Sequence, residues 1–233
     1  MKNNTVTDQA DGLRRLMAGN PGRRVAVLGS DAADVTCVAL NLAAALVQQG
    51  QDLMLLDERQ GVQTASAPRA ARLVLVQAML DQNGALSPLA AQADHLVVVL
   101  RANAASIKDA YVCIKRLHHA HALQRLRVLV YGVVDAAEAQ RILGNLAHTG
   151  SRYLAVALEP AGWVRADPLL AQAQHLNLPV VEAFKASPAA LDFRQIAADL
   201  LQWPQLVAPG RSPIPAPRAA THHEAAPALA LHG

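Results

Sequence analysis

Short, unbroken apolar runs recur along this chain and constrain its fold more than any other feature. Within each run the apolar residues are consecutive and do not alternate with polar ones, which is typical of strands buried on both faces of a parallel sheet. The runs occupy residues 24–29, 52–57, 72–77, 95–100, 127–134, 153–158 and 178–183. We therefore expect a mostly parallel sheet of about seven strands.

Helix start signals lie between these runs. Two are capping boxes, in which an Asp or Ser is followed three residues later by a carboxylate, and two are an Asp or Ser followed directly by proline. They are Ser106 with Asp109, Asp135 with Glu138, Asp167 with Pro168, and Ser187 with Pro188. Strands that alternate with capped helices predict an α/β fold of three layers, α/β/α, with helices on both faces of the sheet.

Two segments lie outside this pattern. Residues 1–22 contain a short helical segment, "TDQADGLRRLM", followed by "AGNPG", which indicates a hinge. Residues 204–233 are rich in Pro and Ala and have no helical periodicity, so we expect them to be disordered. The α/β domain is thus predicted to span residues 23–203.

Composition disfavours several functions. At 233 residues the chain is long enough for one substantial domain with tails. Only 3% of the residues are aromatic, which disfavours a stacking platform for single-stranded nucleic acid. Residues 1–24 carry five basic and two acidic side chains, and this excess of +3 equals the net charge of the whole chain. The rest of the protein is near neutral, so we expect no nucleic-acid partner.

The cysteines and the hydropathy pattern indicate the compartment. Cys37 and Cys113 each lie among apolar neighbours in a predicted helix, which fits buried, reduced thiols. No run approaches the ~18 apolar residues of a membrane-spanning helix, and the N-terminus has no apolar export signal. The tail lacks a basic amphipathic stripe for membrane attachment. We expect a cytoplasmic protein without membrane association.

The loop after the first run, "GSDAADVT" (residues 29–36), stands where many strand–loop–helix units bind phosphate. Such loops use glycines, a lysine and a Ser or Thr. This loop has one glycine, no lysine and two aspartates. Asp31, with Asp34 three residues later, predicts instead a capped helix that ends at Gly50. We interpret the loop as an ordinary β–α connection.

Three stretches resemble the MinD/ParA class of P-loop ATPases, and most closely its flagellar-number regulators, the FlhG/FleN subfamily. They are "DQADGLRRLM" (8–17), "SIKDAYVCIKRL" (106–117) and "PVVEAFKASPAALDFRQIA" (179–197). The first is the most specific of the three, and the resemblance extends over about residues 7–200. It implies a MinD-like P-loop NTPase fold.

The resemblance also locates the nucleotide-binding positions of the family, and most of them are altered. The family loop K-G-G-x-G-K-T falls on residues 30–36, where Val35 stands in place of the phosphate-binding lysine. Two remnants are Thr36, at the magnesium-ligand position, and Asp57, at the first aspartate of the family's D-x-D-x-G. The changed positions are Arg59 for the second aspartate, Gln77 for the Walker B acid and Tyr131 for the adenine-reading asparagine.

These changes predict a degenerate Walker A motif and a pseudo-ATPase, with no catalytic residue in its own fold. We expect neither ATP nor Mg²⁺ as a cofactor. The sequence "HHAH" (118–121) lacks a third ligand nearby, so no metal site is expected. The alternative is a functional ATPase with an ATP-dependent monomer–dimer switch, which the fold, Thr36 and Asp57 favour.

The stretch 8–17 carries the residues that the resemblance assigns to partner binding, namely Asp8, Gln9, Gly12, Leu13, Arg14 and Leu16. In the FlhG/FleN subfamily this segment engages FlhF, a signal-recognition-particle-type GTPase, and stimulates its GTP hydrolysis. The resemblance implies that Gln9 acts in trans at the partner's nucleotide site. A helix this short is marginal alone in water and needs a surface to dock on. That surface is either a partner's or the chain's own domain.

Two other kinds of partner stay open. One is a flagellar transcription activator, on which the chain would dock as an anti-activator. The other is a flagellar switch protein. Either would make the chain a regulator of flagellar biosynthesis or number without requiring catalysis.

Overall fold

The computed structural model describes residues 22–59, 61–63 and 73–204. Almost all of the predicted N-terminal segment (1–21) and of the Pro/Ala-rich tail (205–233) lies outside the described residues. The predicted partner-binding residues of stretch 8–17 fall in the first of these segments.

One seven-stranded sheet, in the order β3-β2-β4-β1-β5-β6-β7, forms the centre of the domain. The strands are β1 (Arg23–Leu28), β2 (Leu53–Asp57), β3 (Gly61–Gln63), β4 (Leu73–Gln77), β5 (His95–Arg101), β6 (Arg125–Val133) and β7 (Ala157–Arg165). Every pairing is parallel except that of the short edge strand β3 with β2. Six strands are therefore parallel, one fewer than expected, and the predicted fold class is confirmed.

Helices cover both faces of the sheet. They are α1 (Ala32–Gln48), α2 (Ala104–His121), α3 (Ala136–Leu154), α4 (Pro168–His175), α5 (Val180–Ala183) and α6 (Pro188–Gln202). Alternate strand residues enter opposite cores. Val25 and Val27 share a core with α1 and α6, whereas Ala26 and Leu28 share the other with α2 and α3. This arrangement explains why the strands read as unbroken apolar runs.

Two of the predicted strands are wrong. Residues 178–183 do not form a strand, because Val180–Ala183 is the one-turn helix α5, whose two valines are fully buried. The amide of Val180 donates to Oδ1 of Asn41 in α1 at 2.7 Å. A short apolar run buried by a helical turn has the same composition as a buried strand, so the pattern could not separate them.

The run 153–158 is also misplaced. Helix α3 continues to Leu154 and ends at Ala155, which has a φ of 53°. The strand begins only at Ala157 and extends to Arg165. As the edge of the sheet, β7 contains exposed and half-buried residues, so its sequence does not show the continuous apolar run of an inner strand.

The helix caps agree with the sequence at every predicted start but one. Asp31, Asp135, Asp167 and Ser187 each accept a hydrogen bond from a first-turn amide. The predicted cap Ser106 is wrong, because α2 begins one turn earlier and Oδ1 of Asn103 accepts from the amide of Ser106 at 2.9 Å. Asn caps a helix as well as Ser does, and the earlier of the two candidates is the one used.

A glycine in β7 is required by close packing. Gly162 has a φ of 138°, and a Cβ built on it would lie 2.5 Å from Cγ1 of Ile196 in α6. We expect Gly162→Ala to lower the free energy of unfolding by about 2–4 kcal/mol, through backbone strain and overpacking. Urea unfolding at pH 7 measures this change.

Gly144 provides the matched control, because it lies within helix α3 and a Cβ there would meet nothing within 4 Å. Gly144→Ala should raise the free energy of unfolding by about 0.5–1 kcal/mol. Equal effects of the two substitutions would contradict the packing seen between β7 and α6.

Candidate functional site

The carboxyl ends of the parallel strands define the candidate site. Strand β1 lies between β4 and β5, so the chain leaves β1 toward one side of the sheet for β2 and returns on its other side at β5. Ligands of open α/β sheets bind at such a reversal point, outside the carboxyl ends of the strands. The loop 29–36 leads from β1 into α1 at this point.

The N-terminus of α1 is capped by its own side chain. Oδ1 of Asp31 accepts from the amide of Ala33 at 2.8 Å and from that of Asp34 at 3.2 Å. In a phosphate-binding loop, these amides are among the groups that contact the anion. The structure thus agrees with the interpretation of the loop as a β–α connection.

Asp34 does not act as a second cap, because it forms an ion pair with Arg101 at the end of β5. Nε of Arg101 lies 2.9 Å from both carboxylate oxygens, and Nη2 lies 2.5 Å from Oδ1. The Asp34 side chain is 7% exposed and that of Arg101 is 52% exposed. The hydrogen bond to Asp34 is the main reason that the pKa of Arg101 is raised.

Tyr131, at the position of the family's adenine-reading asparagine, completes this group. The Arg101 guanidinium lies 5.0 Å from the centroid of its ring. The tyrosine hydroxyl is buried and meets the geometric criterion for a hydrogen bond with no residue that the structure describes. Burial first, and the neighbouring Asp34 second, raise the pKa of Tyr131 well above its usual value. The phenol therefore stays protonated.

Arg59 connects the two remnant positions, Thr36 and Asp57. Its Nη2 donates to Oγ1 of Thr36 at 2.8 Å, and its Nε lies 3.4 Å from Oδ1 of Asp57. The backbone amide of Arg59 also donates to that carboxylate oxygen, at 3.0 Å. Thr36 in turn donates to Oε1 of Gln77 at 3.0 Å. We call Thr36, Asp57, Arg59 and Gln77 the Arg59 cluster.

The residues present do not fit a magnesium-bound triphosphate. Mg²⁺ requires oxygen ligands at about 2.0–2.1 Å in octahedral geometry. In the Arg59 cluster the Thr36 oxygen already accepts from a guanidinium at 2.8 Å, so a second cation would meet a like charge there. Val35, at the position of the phosphate-binding lysine, is 4% exposed and belongs to the core.

Other metal chemistry finds no site within the described ranges. Across residues 22–59, 61–63 and 73–204, no three His, Cys, Asp or Glu side chains are grouped as ligands. Cys37 and Cys113 are buried and free, and burial raises the pKa of each thiol to about 11. Both sulfurs therefore stay protonated near neutral pH.

The structure places Arg59 in contact with both Thr36 and Asp57. The six predicted partner-binding residues lie outside the described part of the chain, so their role stays a prediction. Sequence reasoning missed Arg101. Its signal was a charged residue directly after the buried run 95–100, at the edge of the sheet where ligands bind.

Comparison with known proteins bears on the sequence and on the fold. Over 112 residues the chain is 32% identical to the antiactivator FleN of Pseudomonas aeruginosa strain PAO1. This match covers 48% of this chain and 40% of FleN. MinD from Aquifex aeolicus has a TM-score of 0.56 at 15% identity, over 81% of this chain and 100% of that MinD chain. The chain is FleN-like in sequence and MinD-like in fold.

Further comparisons bear on the fold alone. The cell division ATPase MinD of Pyrococcus furiosus has a TM-score of 0.53 at 11% identity, over 78% of this chain and 99% of that one. The chain matches no protein-family model. The matched segment spans less than half of the length of FleN, so the activity of the whole FleN protein does not transfer directly. Within the described residues, no helix has both the length and the apolar character needed to cross a membrane.

The ion pair between Asp34 and Arg101 yields a stability prediction. Arg101→Gln leaves a buried carboxylate without its counter-charge, so we expect the free energy of unfolding to fall by about 1–3 kcal/mol. This expected loss of free energy is at the lower end of the range for breaking a buried ion pair, because half of the arginine side chain is exposed. Urea unfolding at pH 7 checks it.

Arg141→Gln is the control, since Arg141 is 70% exposed and lies 3.9 Å from Glu138 in α3. This substitution should change the free energy of unfolding by less than about 0.5 kcal/mol. If Arg101→Gln were equally neutral, the pair with Asp34 would contribute nothing to the site.

Proposed function

We propose that this chain is a cytoplasmic regulator of flagellar biosynthesis or number that acts by binding other proteins and does not hydrolyse ATP. The likeness to FleN supports the regulatory role. The observation that carries the second part is the position of Arg59, whose guanidinium bonds to both remnants of the family's nucleotide site. The chain is then a pseudo-ATPase with a MinD-like fold.

Charge at the loop gives the reason for the missing ATP activity. The loop lacks a lysine, and one lost charge-assisted hydrogen bond costs about 1.5–3 kcal/mol. Asp31, which is exposed at the helix N-terminus, would oppose a phosphate about 4 Å away by up to ~4 kcal/mol at an effective dielectric near 20. The charge of Asp34 matters less, because Arg101 neutralises it. Together these terms amount to several factors of ten in affinity.

This part of the proposal predicts the outcome of a nucleotide titration. Isothermal calorimetry with the full chain should give no saturable heat for MgATP, which corresponds to a dissociation constant above about 1 mM. MgADP should behave in the same way. Micromolar binding of MgATP would contradict the proposal and support the alternative, an ATPase with a nucleotide-dependent monomer–dimer switch.

The partner-binding part rests on the segment with sequence "DQADGLRRLM". We infer that it docks on an FlhF-like, signal-recognition-particle-type GTPase. Asp8, Gly12, Leu13, Arg14 and Leu16 would contact the partner's surface. Gln9 would act at the partner's nucleotide site, since a glutamine can orient the attacking water in GTP hydrolysis. Such an activity needs no nucleotide on the supplying chain.

This docking predicts an effect on the partner's turnover. The full chain should accelerate GTP hydrolysis by the FlhF-type GTPase, and Gln9→Ala should abolish most of the acceleration while leaving binding in a pull-down intact. Removal of residues 1–20 should abolish both. Gln140→Ala is the control, because Gln140 is exposed on α3, and it should leave the acceleration unchanged. A wild-type chain without any effect on GTP hydrolysis would refute this docking.

A second candidate function is favoured by the description of FleN as an antiactivator. On this proposal the α/β domain docks on a flagellar transcription activator, and flagellar switch proteins are a further possible class of partner. The chain that lacks residues 1–20 separates the proposals. In a pull-down this shortened chain should still bind the transcription activator, whereas it should no longer bind the FlhF-type GTPase.

A further inference from the structure

A cavity of about 360 Å³ opens beside the Arg59 cluster, on the side of helix α2. Its walls are residues 28–35 at the end of β1 and the start of α1, Arg59, residues 77–80 at the end of β4, and one face of α2. Natural cores have few voids larger than a water molecule, and sites for small molecules begin at about 300 Å³. The size lies within the range of small-molecule sites.

Much of the lining is aliphatic. Leu28 and Val35 are buried at the base, and Leu80 is half-buried. Met79 and Val112 are 49% and 46% exposed, so they place apolar surface in contact with solvent. A ligand with an aliphatic body would cover this surface.

A side-chain amide also belongs to the lining of the cavity. Gln77 lines it and is only 3% exposed. The hydroxyl of Thr36 accepts a hydrogen bond from Arg59 and donates its own proton to Oε1 of Gln77. The Oε1 atom of Gln77 therefore faces Thr36. Nε2 of Gln77 is then left without a hydrogen bond to any residue that the structure describes. A ligand oxygen in the cavity would be an acceptor for this N–H group.

Arg116 places a positive charge on the α2 wall. Its Nη2 donates to the carbonyl oxygens of Asp81, at 2.5 Å, and Gln82, at 3.1 Å. Within the described ranges no carboxylate forms an ion pair with it. By contrast, the charge of Arg59 is matched by Asp57. Asp109 lines the same face of α2 two turns earlier. The α2 wall of the cavity therefore has a negative end at Asp109 and a positive end at Arg116, and an anion would bind at Arg116.

We propose that this cavity binds a small aliphatic carboxylate with a second oxygen acceptor, such as an oxo, hydroxy or dicarboxylic acid. The carboxylate pairs with Arg116, the aliphatic chain packs on Leu80 and Val112, and the second oxygen accepts from Nε2 of Gln77. This inference is independent of the proposed function, because it holds whichever protein the chain binds.

The test uses the full-length protein and four probes: pentanoate, 4-oxopentanoate, acetate and inorganic phosphate. Ligand-detected NMR and calorimetry measure binding. We expect 4-oxopentanoate to bind about fivefold more tightly than pentanoate, which corresponds to one hydrogen bond of ~1 kcal/mol. Acetate should bind more weakly than pentanoate, because it lacks methylene groups that the cavity would bury. Each buried methylene contributes ~0.8 kcal/mol, so the affinity should fall about fourfold for each methylene removed. Phosphate should bind more weakly than either longer acid.

Three variants assign the contacts. Arg116→Gln should weaken 4-oxopentanoate at least tenfold. Val112→Trp should block all probes by filling the cavity, and this position tolerates a larger side chain because it is half-exposed. Gln77→Leu should abolish the preference for the oxo acid over pentanoate. Arg141→Gln, on a different helix and outside the lining, should leave every affinity unchanged.

Each remaining outcome would overturn the inference. Failure of the wild type to bind any carboxylate saturably up to about 10 mM would do so. Binding that Arg116→Gln and Val112→Trp leave intact would place the site elsewhere. Competition by MgATP at lower concentration than 4-oxopentanoate would identify the cavity as part of a nucleotide site. A thermal unfolding curve of each variant shows that a loss of binding does not come from a loss of fold.

Discussion

Six parallel strands present two apolar faces, and the need to bury both of them is the constraint on which the rest of this structure depends. Helices α1, α5 and α6 cover one face and α2 and α3 cover the other. Parallel strands also align their carboxyl ends along one edge, where the polar residues that follow each strand meet. The candidate site exists at this edge because of that alignment. Arg101 reaches Asp34, and Arg59 reaches Thr36, only because β5, β2 and α1 end or begin there.

Two arginines determine the chemistry of the edge. Each places its guanidinium at the carboxyl edge of the sheet, and each is paired with an aspartate of the chain itself, Asp34 or Asp57. The cavity lined by Arg59 and Gln77 also contains Arg116, which bonds to the carbonyl oxygens of Asp81 and Gln82 and makes no ion pair within the described residues.

Much of this could be predicted from the sequence, and the failures share a physical cause. Strands buried on both faces produce unbroken apolar runs, and six of the seven runs correspond to strands of the sheet, one of them displaced. The run 178–183 failed because a buried helical turn at Val180 and Val181 has the same composition. The cap at Ser106 failed because Asn103 offers an equivalent acceptor three residues earlier. Local patterns state that a segment is buried or capped, but they do not choose between two local solutions of similar energy.

The sequence by itself determined the α/β class, most helix starts, and the fact that the loop 29–36 has no lysine and carries two aspartates. These are properties of residues within one or two turns of each other. Only the tertiary structure decided what the aspartates do. Asp31 caps its own helix, whereas Asp34, three residues later, points to an arginine 67 positions away in the chain. Pairs of this kind depend on which strand ends become neighbours in the sheet, and that order is set by packing of the whole domain, which no local pattern encodes.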